Sequence, residues 1–281
     1  MRRKAPRTPP RTPSARVPEI AVADGATRKG HRIVPEETPV ALTYNRLSHA
    51  VMMATPSDLE DFAVGFSLAE RIVDRADEIE QLDVVERDIG IELRMWIGKD
   101  RIDVYSDRRR NLAGPTGCGL CGMESLEETV RAAPRVCASL TATPDVISDA
   151  VAAMPPGQKL NHETRAVHAA AFWMPDRGIV ALREDVGRHN ALDKLAGALA
   201  RQGIAGADGI VLLTSRVSVE MVQKTAIIGA GILVAVSAPT ALAIRTAEAA
   251  GITLIAVARG RDFEIFTHPG RVVDAEVRHV A

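Results

Sequence analysis

The part of this sequence best equipped for chemistry is a glycine-rich hexapeptide that carries two cysteines. Residues 117–122 read Gly-Cys-Gly-Leu-Cys-Gly, so Cys118 and Cys121 are separated by two residues. The glycines leave both thiols unhindered and add no side chain to a hydrophobic core, which argues against a purely structural role. Two cysteines at this spacing can form half of a zinc site, a redox pair, or a nucleophile that carries sulfur.

Zinc binding and dithiol exchange both fit this loop poorly. A structural zinc ion needs four ligands, and the remaining cysteine, Cys137, follows Cys121 by 16 residues without a partner cysteine. A thioredoxin-like pair opens a helix early in a βαβ unit, whereas this pair lies mid-chain. A thiol that reaches into another protein needs a pliable loop. The residues therefore favour sulfur transfer and leave the other two uses open, while Cys137 is interpreted as a small buried residue.

Composition excludes several classes of protein. The 281 residues are 46% hydrophobic, and 35 basic residues balance 36 acidic ones for a net charge of -1. This near equality of positive and negative charge, together with an aromatic content of only 3%, argues against binding to nucleic acid. Three cysteines suggest a reducing compartment, and no apolar run reaches membrane-spanning length. We expect a cytoplasmic protein without a structural metal and with neither nucleic-acid nor membrane partners.

Composition also divides the chain into four segments. Residues 1–18 are basic and proline-rich, which predicts a disordered tail. Residues 19–113 alternate β-forming residues around one helix that starts near Asp58, which predicts a β-rich N-terminal subdomain. Residues 114–145 hold the cysteine loop and a connecting segment, and residues 146–281 alternate helix and strand patterns.

The second half is expected to form an α/β domain. Its apolar runs Ile210–Leu213, Ile232–Val236 and Ile252–Val257 suit strands that are buried on both faces by helices. Amphipathic spacing predicts helices near residues 124–133, 146–153, 188–201, 219–229 and 240–250. Strands are expected near residues 170–174, 179–183, 209–214, 232–237, 252–257 and 263–267.

Polar residues crowd two of the strand-to-helix junctions. The segment 184–194 follows one strand, and Arg216 with the predicted N-cap Ser218 follows another, a combination that suits a phosphate group. His168 suggests a nucleobase deaminase, but Ala170 stands where the general acid/base glutamate would be, and no cysteine follows Cys137. The machinery for activating water on zinc is therefore expected to be absent.

These landmarks together resemble the FdhD family of formate dehydrogenase accessory sulfurtransferases. The cysteine hexapeptide is joined by Glu-Asp-Val-Gly-Arg-His-Asn-Ala-Leu-Asp-Lys at 184–194 and Arg-Val-Ser-Val-Glu-Met-Val-Gln-Lys at 216–224. Ser-Ala-Pro-Thr at 237–240 and Phe-Thr-His-Pro-Gly-Arg at 266–271 complete the series in the family's order. The family commonly has Ser-Gly-Arg where this chain has Thr-Ser-Arg at 214–216.

The resemblance implies a specific function. The family takes sulfur from a cysteine desulfurase as a cysteine persulfide. It passes that sulfur to the molybdenum (or tungsten) bis-molybdopterin guanine dinucleotide cofactor, bound as a substrate, before formate dehydrogenase becomes active. The formate dehydrogenase apoenzyme is thus an implied partner. The family's C-terminal domain is similar to cytidine deaminase, and a homodimer is usual.

Matching positions assign roles to residues of this sequence. Cys118 matches the cysteine that carries the persulfide, and Cys121 matches the second cysteine of the loop. The segment matched to the cofactor consists of Phe266, Thr267, His268, Pro269, Gly270 and Arg271. Arg216, Arg271 and the helix that Ser218 caps are reasonable clamps for its phosphates. Two alternatives remain open, a dithiol oxidoreductase and a non-catalytic carrier or chaperone of the molybdenum cofactor.

Overall fold

The computed structural model describes residues 11–102 and 132–273 of the chain. Cys118 and Cys121 lie outside the described residues, as does the predicted helix 124–133 apart from its last two positions. None of the helices in the described ranges is long and apolar enough to cross a membrane.

The N-terminal part is rich in β-structure, as predicted. A ribbon of β1 (Ser14–Ala23) and β2 (Ala26–Pro35) precedes a four-stranded sheet in the order β4-β3-β6-β5. The strands of that sheet and the helix that covers it are β3 (Thr38–Tyr44), β4 (Leu47–Ala54), α1 (Leu59–Ala69), β5 (Ile79–Arg87) and β6 (Gly90–Ile97). Phe62 and Phe66 of α1 pack on buried residues of β3 and β6, which closes a small core.

The expectation of a disordered tail through residue 18 is wrong for its last five residues. Ser14–Pro18 belongs to β1 and pairs with β2, from Ser14 opposite Pro35 to Pro18 opposite His31. Composition missed this because the stabilising partner, residues 26–35, lies outside the segment. Pro18 is tolerated because each strand of a two-stranded ribbon is an edge strand, where a missing N–H is harmless.

The C-terminal part is built on a six-stranded mixed sheet in the order β12-β11-β10-β9-β7-β8. Its first two strands are β7 (His168–Met174) and β8 (Gly178–Asp185), and the others are β9 (Ile210–Leu213), β10 (Ile232–Ala235), β11 (Thr253–Arg259) and β12 (Asp262–Ile265). Strands β9, β10 and β11 are parallel, whereas β7 runs antiparallel to β9 and β8, and β12 antiparallel to β11. The helices are α2 (Pro144–Ala152), α3 (Lys159–Thr164), α4 (Arg188–Gln202), α5 (Val219–Ile228) and α6 (Ala241–Ala250).

Helices cover both faces of this sheet, which confirms the predicted α/β class. Alternate strand residues such as Leu213 and Leu233 face α4, α5 and α6. The intervening residues, such as Leu212 and Val234, face the opposite side and pack with Ile147 of α2. Since a strand places successive side chains on opposite faces, continuous apolar runs are what a sheet covered on both sides requires. Among the described α-helices of this part, the short α3 is the one that the sequence analysis did not predict.

The two parts are joined where α1 crosses α4 at a pair of glycines. A Cβ atom on Gly65 would lie 1.7 Å from the carbonyl oxygen of Asp193, and one on Gly197 would lie 1.9 Å from that of Asp61. The backbones therefore touch at this crossing, which only glycine permits. This contact holds α4, and hence the residues at its start, against the N-terminal part.

Substitution of Gly197 by alanine is expected to destabilise the protein by about 1–3 kcal/mol, because the added methyl group forces the two backbones apart. The direction of this change in stability is informative, because alanine in place of glycine normally stabilises a helix by up to about 1 kcal/mol. Urea unfolding followed by circular dichroism measures the difference. Gly30→Ala is the matched control, because its Cβ would meet nothing nearer than Glu19 Oε1 at 3.5 Å. Equal or greater stability of Gly197→Ala would contradict the close contact.

Candidate functional site

The candidate site lies at the sheet edge where β8 and β9 end and β7 begins; we call it the carboxyl edge. His168 opens β7 and pairs with Asp185, the last residue of β8. On its other side, Ala169 N donates to Thr214 Oγ1 at 2.9 Å, and Thr214 N donates to Ala169 O at 3.1 Å. These bonds hold His168 between the segments that follow β8 and β9. Ligands of open α/β sheets bind outside the carboxyl ends of parallel strands.

A buried ion pair fixes the start of α4 at this edge. The side chains of Asp185 and Lys194 are both 0% exposed, and Lys194 Nζ lies 2.7 Å from Asp185 Oδ2. Thr55, just before α1, joins the pair, since its N–H donates to Asp185 Oδ2 at 2.9 Å and its carbonyl oxygen accepts from Lys194 Nζ at 2.9 Å. Gly187 N adds a further bond to Asp185 Oδ1 at 2.7 Å. The pair therefore ties the N-terminal part to the turn between β8 and α4.

The two longest family-like motifs contact each other through two side-chain pairs between α4 and α5. His189 Nε2 lies 3.3 Å from Glu220 Oε2, and the ammonium of Lys224 contacts the carboxylate of Asp193. Burial raises the pKa of Asp193, and the Lys224 ammonium opposes that rise. Residues 184–194 and 216–224, separate in sequence, thus form one polar seam along the start of the two helices.

The stability that this polar seam contributes depends on the ionisation of Glu220. The hydrogen bond from His189 lowers the pKa of Glu220 to about 2; burial opposes the shift, and the hydroxyl of Ser218, which donates at 2.7 Å, assists it. A carboxyl whose pKa is lower in the folded state adds stability above its ordinary pKa and loses it as the pH falls through the folded value.

We therefore expect Glu220→Gln to destabilise the protein above about pH 4.5. The difference in free energy of unfolding between wild type and variant should become smaller as the pH falls toward about 2. Urea midpoints measured from pH 7 down to pH 3 test this, because the shared acid response of all other groups cancels in the difference. A difference in stability that stays constant or increases as the pH falls would contradict the assigned role of the carboxylate.

Positive charge collects around His168 at the carboxyl edge. Burial, followed by the charges of Arg188 and Arg216, lowers the pKa of His168. Both guanidinium groups therefore lie within electrostatic range of one imidazole. Arg188 is the first residue of α4 and Arg216 follows the end of β9, so neighbouring junctions of the sheet supply them.

Arg216 and Ser218 thus lie at this edge, as their position after β9 predicts, although Ser218 differs in detail from expectation. Ser218 occupies the N-cap of α5, but its hydroxyl donates to the Glu220 side chain and caps no backbone amide. The neighbouring Ser215 is buried and donates to the carbonyl oxygen of Arg216 at 3.0 Å.

The segment Phe266–Arg271 lies at the opposite edge of the sheet. Thr267 Oγ1 donates to Ile252 O at 2.6 Å and accepts from Leu254 N at 3.0 Å, beside the first residues of β11. Because β9, β10 and β11 run parallel, the start of β11 and the end of β9 lie at opposite edges. Within one chain, the structure does not bring Arg216 together with Thr267.

Arg271 anchors the connection that leads away from the cysteine loop. Its Nε donates to Ala138 O at 3.2 Å and its Nη1 to Thr253 Oγ1 at 3.2 Å. Its carbonyl oxygen accepts from Ala142 N at 2.9 Å. The guanidinium group thus links Ala138 to the start of β11, and the backbone carbonyl of Arg271 holds Ala142. The rest of the segment includes the exposed Pro269 and Gly270, and His268, whose Nε2 contacts Glu248 O at 2.8 Å.

Two further residues singled out by the sequence can be placed. Cys137 is exposed, so its interpretation as a buried residue is wrong. It alternates with the buried Val136 and Ala138, and the extended segment turns its thiol outward. Ala170 is fully buried within β7 opposite Leu213, in the core that α4 to α6 cover. Within residues 11–102 and 132–273, no group of three or more His, Cys, Asp or Glu residues could hold a metal ion.

Sequence reasoning missed His168 and Arg188 as neighbours of Arg216. One indication of this was present in the sequence, because all three residues lie near the beginning or the end of strands of one sheet. Their proximity depends on β7 lying between β8 and β9, an order that the chain's linear pattern does not show.

Comparison with known proteins decides the family. The sequence model of the FdhD/NarQ family matches residues 35–273, which include every described residue of the carboxyl edge. The chain belongs to the FdhD/NarQ family. The resemblance recognised from the five motifs is thereby confirmed and extends into the N-terminal part, where no motif carried it.

Relatives within the family cover almost the whole chain. The sulfur carrier protein FdhD of Agrobacterium fabrum is 53% identical over 260 residues, which are 92% of this chain and 96% of the relative. The protein of the same name from Brucella abortus is 54% identical over 249 residues, 88% and 93% of the two chains. Among solved structures, a candidate formate dehydrogenase accessory protein from Desulfotalea psychrophila superposes with a TM-score of 0.74 at 25% identity, covering 92% and 99%.

Proposed function

We propose that this protein is a sulfurtransferase that carries persulfide sulfur from a cysteine desulfurase to the molybdenum or tungsten bis-molybdopterin guanine dinucleotide cofactor of formate dehydrogenase. The observation that carries the proposal is family membership, with relatives at 53% and 54% identity that bear the name sulfur carrier protein. The sequence adds the chemistry such a carrier needs, two cysteines in a glycine-rich loop at residues 117–122.

The first step loads sulfur onto Cys118. The Cys118 thiolate attacks the terminal sulfur of the donor's persulfide, so a new S–S bond forms on Cys118 while the donor's S–S bond breaks. The donor cysteine leaves as a thiolate, and no net oxidation or reduction occurs. Thiolate character controls the rate of this attack.

The second step releases the sulfur to the cofactor, which is the substrate of this step. Release of the terminal sulfur as hydrosulfide needs two electrons. Cys121 supplies them when its thiolate attacks Sγ of Cys118, which forms a Cys118–Cys121 disulfide and expels the sulfur. An external thiol must then reduce the disulfide before the next cycle.

An intact-mass measurement separates this function from its two alternatives. The protein is incubated with a cysteine desulfurase and cysteine, and its mass is then recorded with and without a reductant. Gain of one sulfur atom, reversed by the reductant, supports the sulfurtransferase. Loss of two hydrogen atoms by wild type, with no gain of sulfur by Cys121→Ala, which cannot form the release disulfide, would favour a dithiol oxidoreductase. An unchanged mass of both proteins would favour a non-catalytic cofactor carrier.

The finer features implied by the family belong to the same proposal. They are a cytidine-deaminase-like C-terminal domain, a homodimer, a cytoplasmic location, the formate dehydrogenase apoenzyme as partner, and cofactor binding through Phe266–Arg271, Arg216 and Ser218. One mixed sheet with helices on both faces supports the first of these. Placement of the binding segments at two edges of the sheet suits an elongated ligand, or two chains that contribute different edges.

A further inference from the structure

The ribbon of β1 and β2 has an outer half that none of the described residues covers. We call residues 14–35 the arm. Its base lies against α3, where Ser14 Oγ donates to Glu163 Oε2 at 3.4 Å. Every residue from 20 to 29 is exposed, although the two strands stay paired up to the turn. The outer half of the arm is therefore a two-stranded hairpin without a supporting layer.

Such a hairpin needs a further surface to be stable. Two strands alone are marginally stable in water, and a third strand or a packed helix is what stabilises them. The arm also has an apolar face, since Ile20 and Val22 are 66% and 71% exposed and alternate along β1 with Pro18. Ile33, which lies opposite Arg16, adds to the same face. These features indicate that a partner covers the arm.

The charge of the arm restricts the kind of partner. The arm contains two acidic residues and four basic ones, which are Arg16, Arg28, Lys29 and Arg32. Two arms would therefore repel each other if they lay side by side. The complementary surface is acidic, offers an open strand edge and exposes some apolar area.

The chain itself carries a surface of this kind at β5. This strand is an edge of the four-stranded sheet, and no described strand pairs with its outer side. Residues 74–92, which include β5, hold eight acidic and two basic residues. Among the described residues, Glu80 and Asp83 of β5 form no ion pair, and Val84 is 39% exposed.

The other described sheet edges fit the arm less well. The edge strand β4 carries no acidic residue, and Met53 O already accepts a hydrogen bond from Asn190 Nδ2 at 2.8 Å. The acidic residues of β8 are engaged, Glu184 with backbone amides of α3 and Asp185 with Lys194. The edge strand β12 has only four residues, whereas each strand of the arm has ten.

We propose that the arm of one copy of this chain lies along β5 of a second copy, and that the second copy's arm lies along β5 of the first. Main-chain hydrogen bonds of an added strand supply affinity, and the basic arm against the acidic edge supplies register and specificity. The exchange is reciprocal, so a two-fold pair closes with both arms and both β5 edges covered.

The two surfaces are argued from the described residues, whereas the choice of a homodimer rests on the proposed function. Association of the purified chain is measured without persulfide loading. Failure of this interface and failure of the sulfurtransferase are therefore distinguishable, since the mass measurement reports the second alone.

Sedimentation velocity of two charge-reversal variants tests the interface. The arm variant carries Arg28→Glu and Lys29→Glu, and the β5 variant carries Glu80→Lys and Asp83→Lys. We expect wild type to form a dimer and each variant alone to dissociate at least about tenfold more readily, because like charges meet at both contacts. An equimolar mixture should regain the wild-type affinity. In the mixed pair one contact is native and the other has both charges reversed.

A matched control is Arg177→Glu with Arg245→Glu, which changes the charge of two exposed residues outside both surfaces and should leave the dimer intact. If a charge-reversal variant failed to fold, Val22→Asp would answer the question for the arm, since replacement of an exposed side chain leaves the fold of one chain intact. A monomeric wild type, or a mixture that does not regain the dimer, would overturn the proposal. Weakening by the arm variant but not by the β5 variant would overturn the assignment of β5 as the receiving edge.

Discussion

Replacement of Cys118 by alanine is expected to abolish maturation of formate dehydrogenase and leave the protein folded. The variant loses the atom that accepts sulfur in the proposed transfer. Activity of formate dehydrogenase in cells that contain only the variant should fall to the level of cells without the protein. Stability should change by no more than about 0.5 kcal/mol, as for substitutions away from cores, caps and buried networks.

The other two cysteines supply the controls for this experiment. Cys137 is exposed, so it competes with Cys118 as a site that a persulfide donor can reach. Cys137→Ala should retain full maturation and still gain one sulfur atom from the desulfurase. Cys121→Ala should gain sulfur but release it slowly, because the second thiol of the proposed release step is missing. If Cys118→Ala still matured formate dehydrogenase, or if Cys137→Ala failed to do so, Cys118 would not be the thiol that carries the sulfur.

The sequence predicts the main sheet and its helices well, for a clear physical reason. Apolar runs such as Ile210–Leu213 and Ile232–Ala235 are buried on both faces, and only a covered sheet accommodates them. The helices α4, α5 and α6 begin and end within one or two residues of their predicted bounds. Local pattern and global fold agree there, so each element can be recognised without its neighbours.

The features that sequence reasoning missed depend on partners remote in the chain. The strand β1 exists because residues 26–35 pair with it, and the crossing of α1 and α4 depends on Gly65 and Gly197 meeting over 132 positions. His168 comes within electrostatic range of Arg216 because β7 lies beside β9. Neither composition nor periodicity reports such contacts, since both are properties of a single stretch of chain.

The separation of Arg216 from Phe266–Arg271 has the same origin. Their residue types suggested a common phosphate clamp, because both stretches carry an arginine close to a turn or a helix start. The parallel course of β9, β10 and β11 puts them at opposite edges. Strand direction, which residue types do not encode, thus decides which side chains of one chain lie at the same edge of the sheet.

Substitution of Lys194 by methionine is expected to destabilise the protein by about 3–5 kcal/mol, the range for removal of one partner of a buried ion pair. The Asp185 carboxylate would stay fully buried without its counter-charge, although Thr55 N and Gly187 N would still donate to it. The substitution would destabilise both parts of the chain, because Thr55, which bonds the ion pair, belongs to the N-terminal part. A drop of this size is a large fraction of the stability of an ordinary domain.

Urea unfolding of Lys194→Met, compared with Lys159→Met, measures the expected loss. Lys159 is exposed at the start of α3, so the same chemical change there should cost less than about 0.5 kcal/mol. Addition of Asp185→Asn to Lys194→Met should recover part of the loss, since a neutral side chain needs no counter-charge. A deficit equal to that of Lys159→Met would mean that the pair contributes nothing. A large deficit that Asp185→Asn does not reduce would instead mean that the packing of the lysine side chain, including the approach of its Nζ to the centroid of the Phe62 ring at 6.0 Å, supplies the stability.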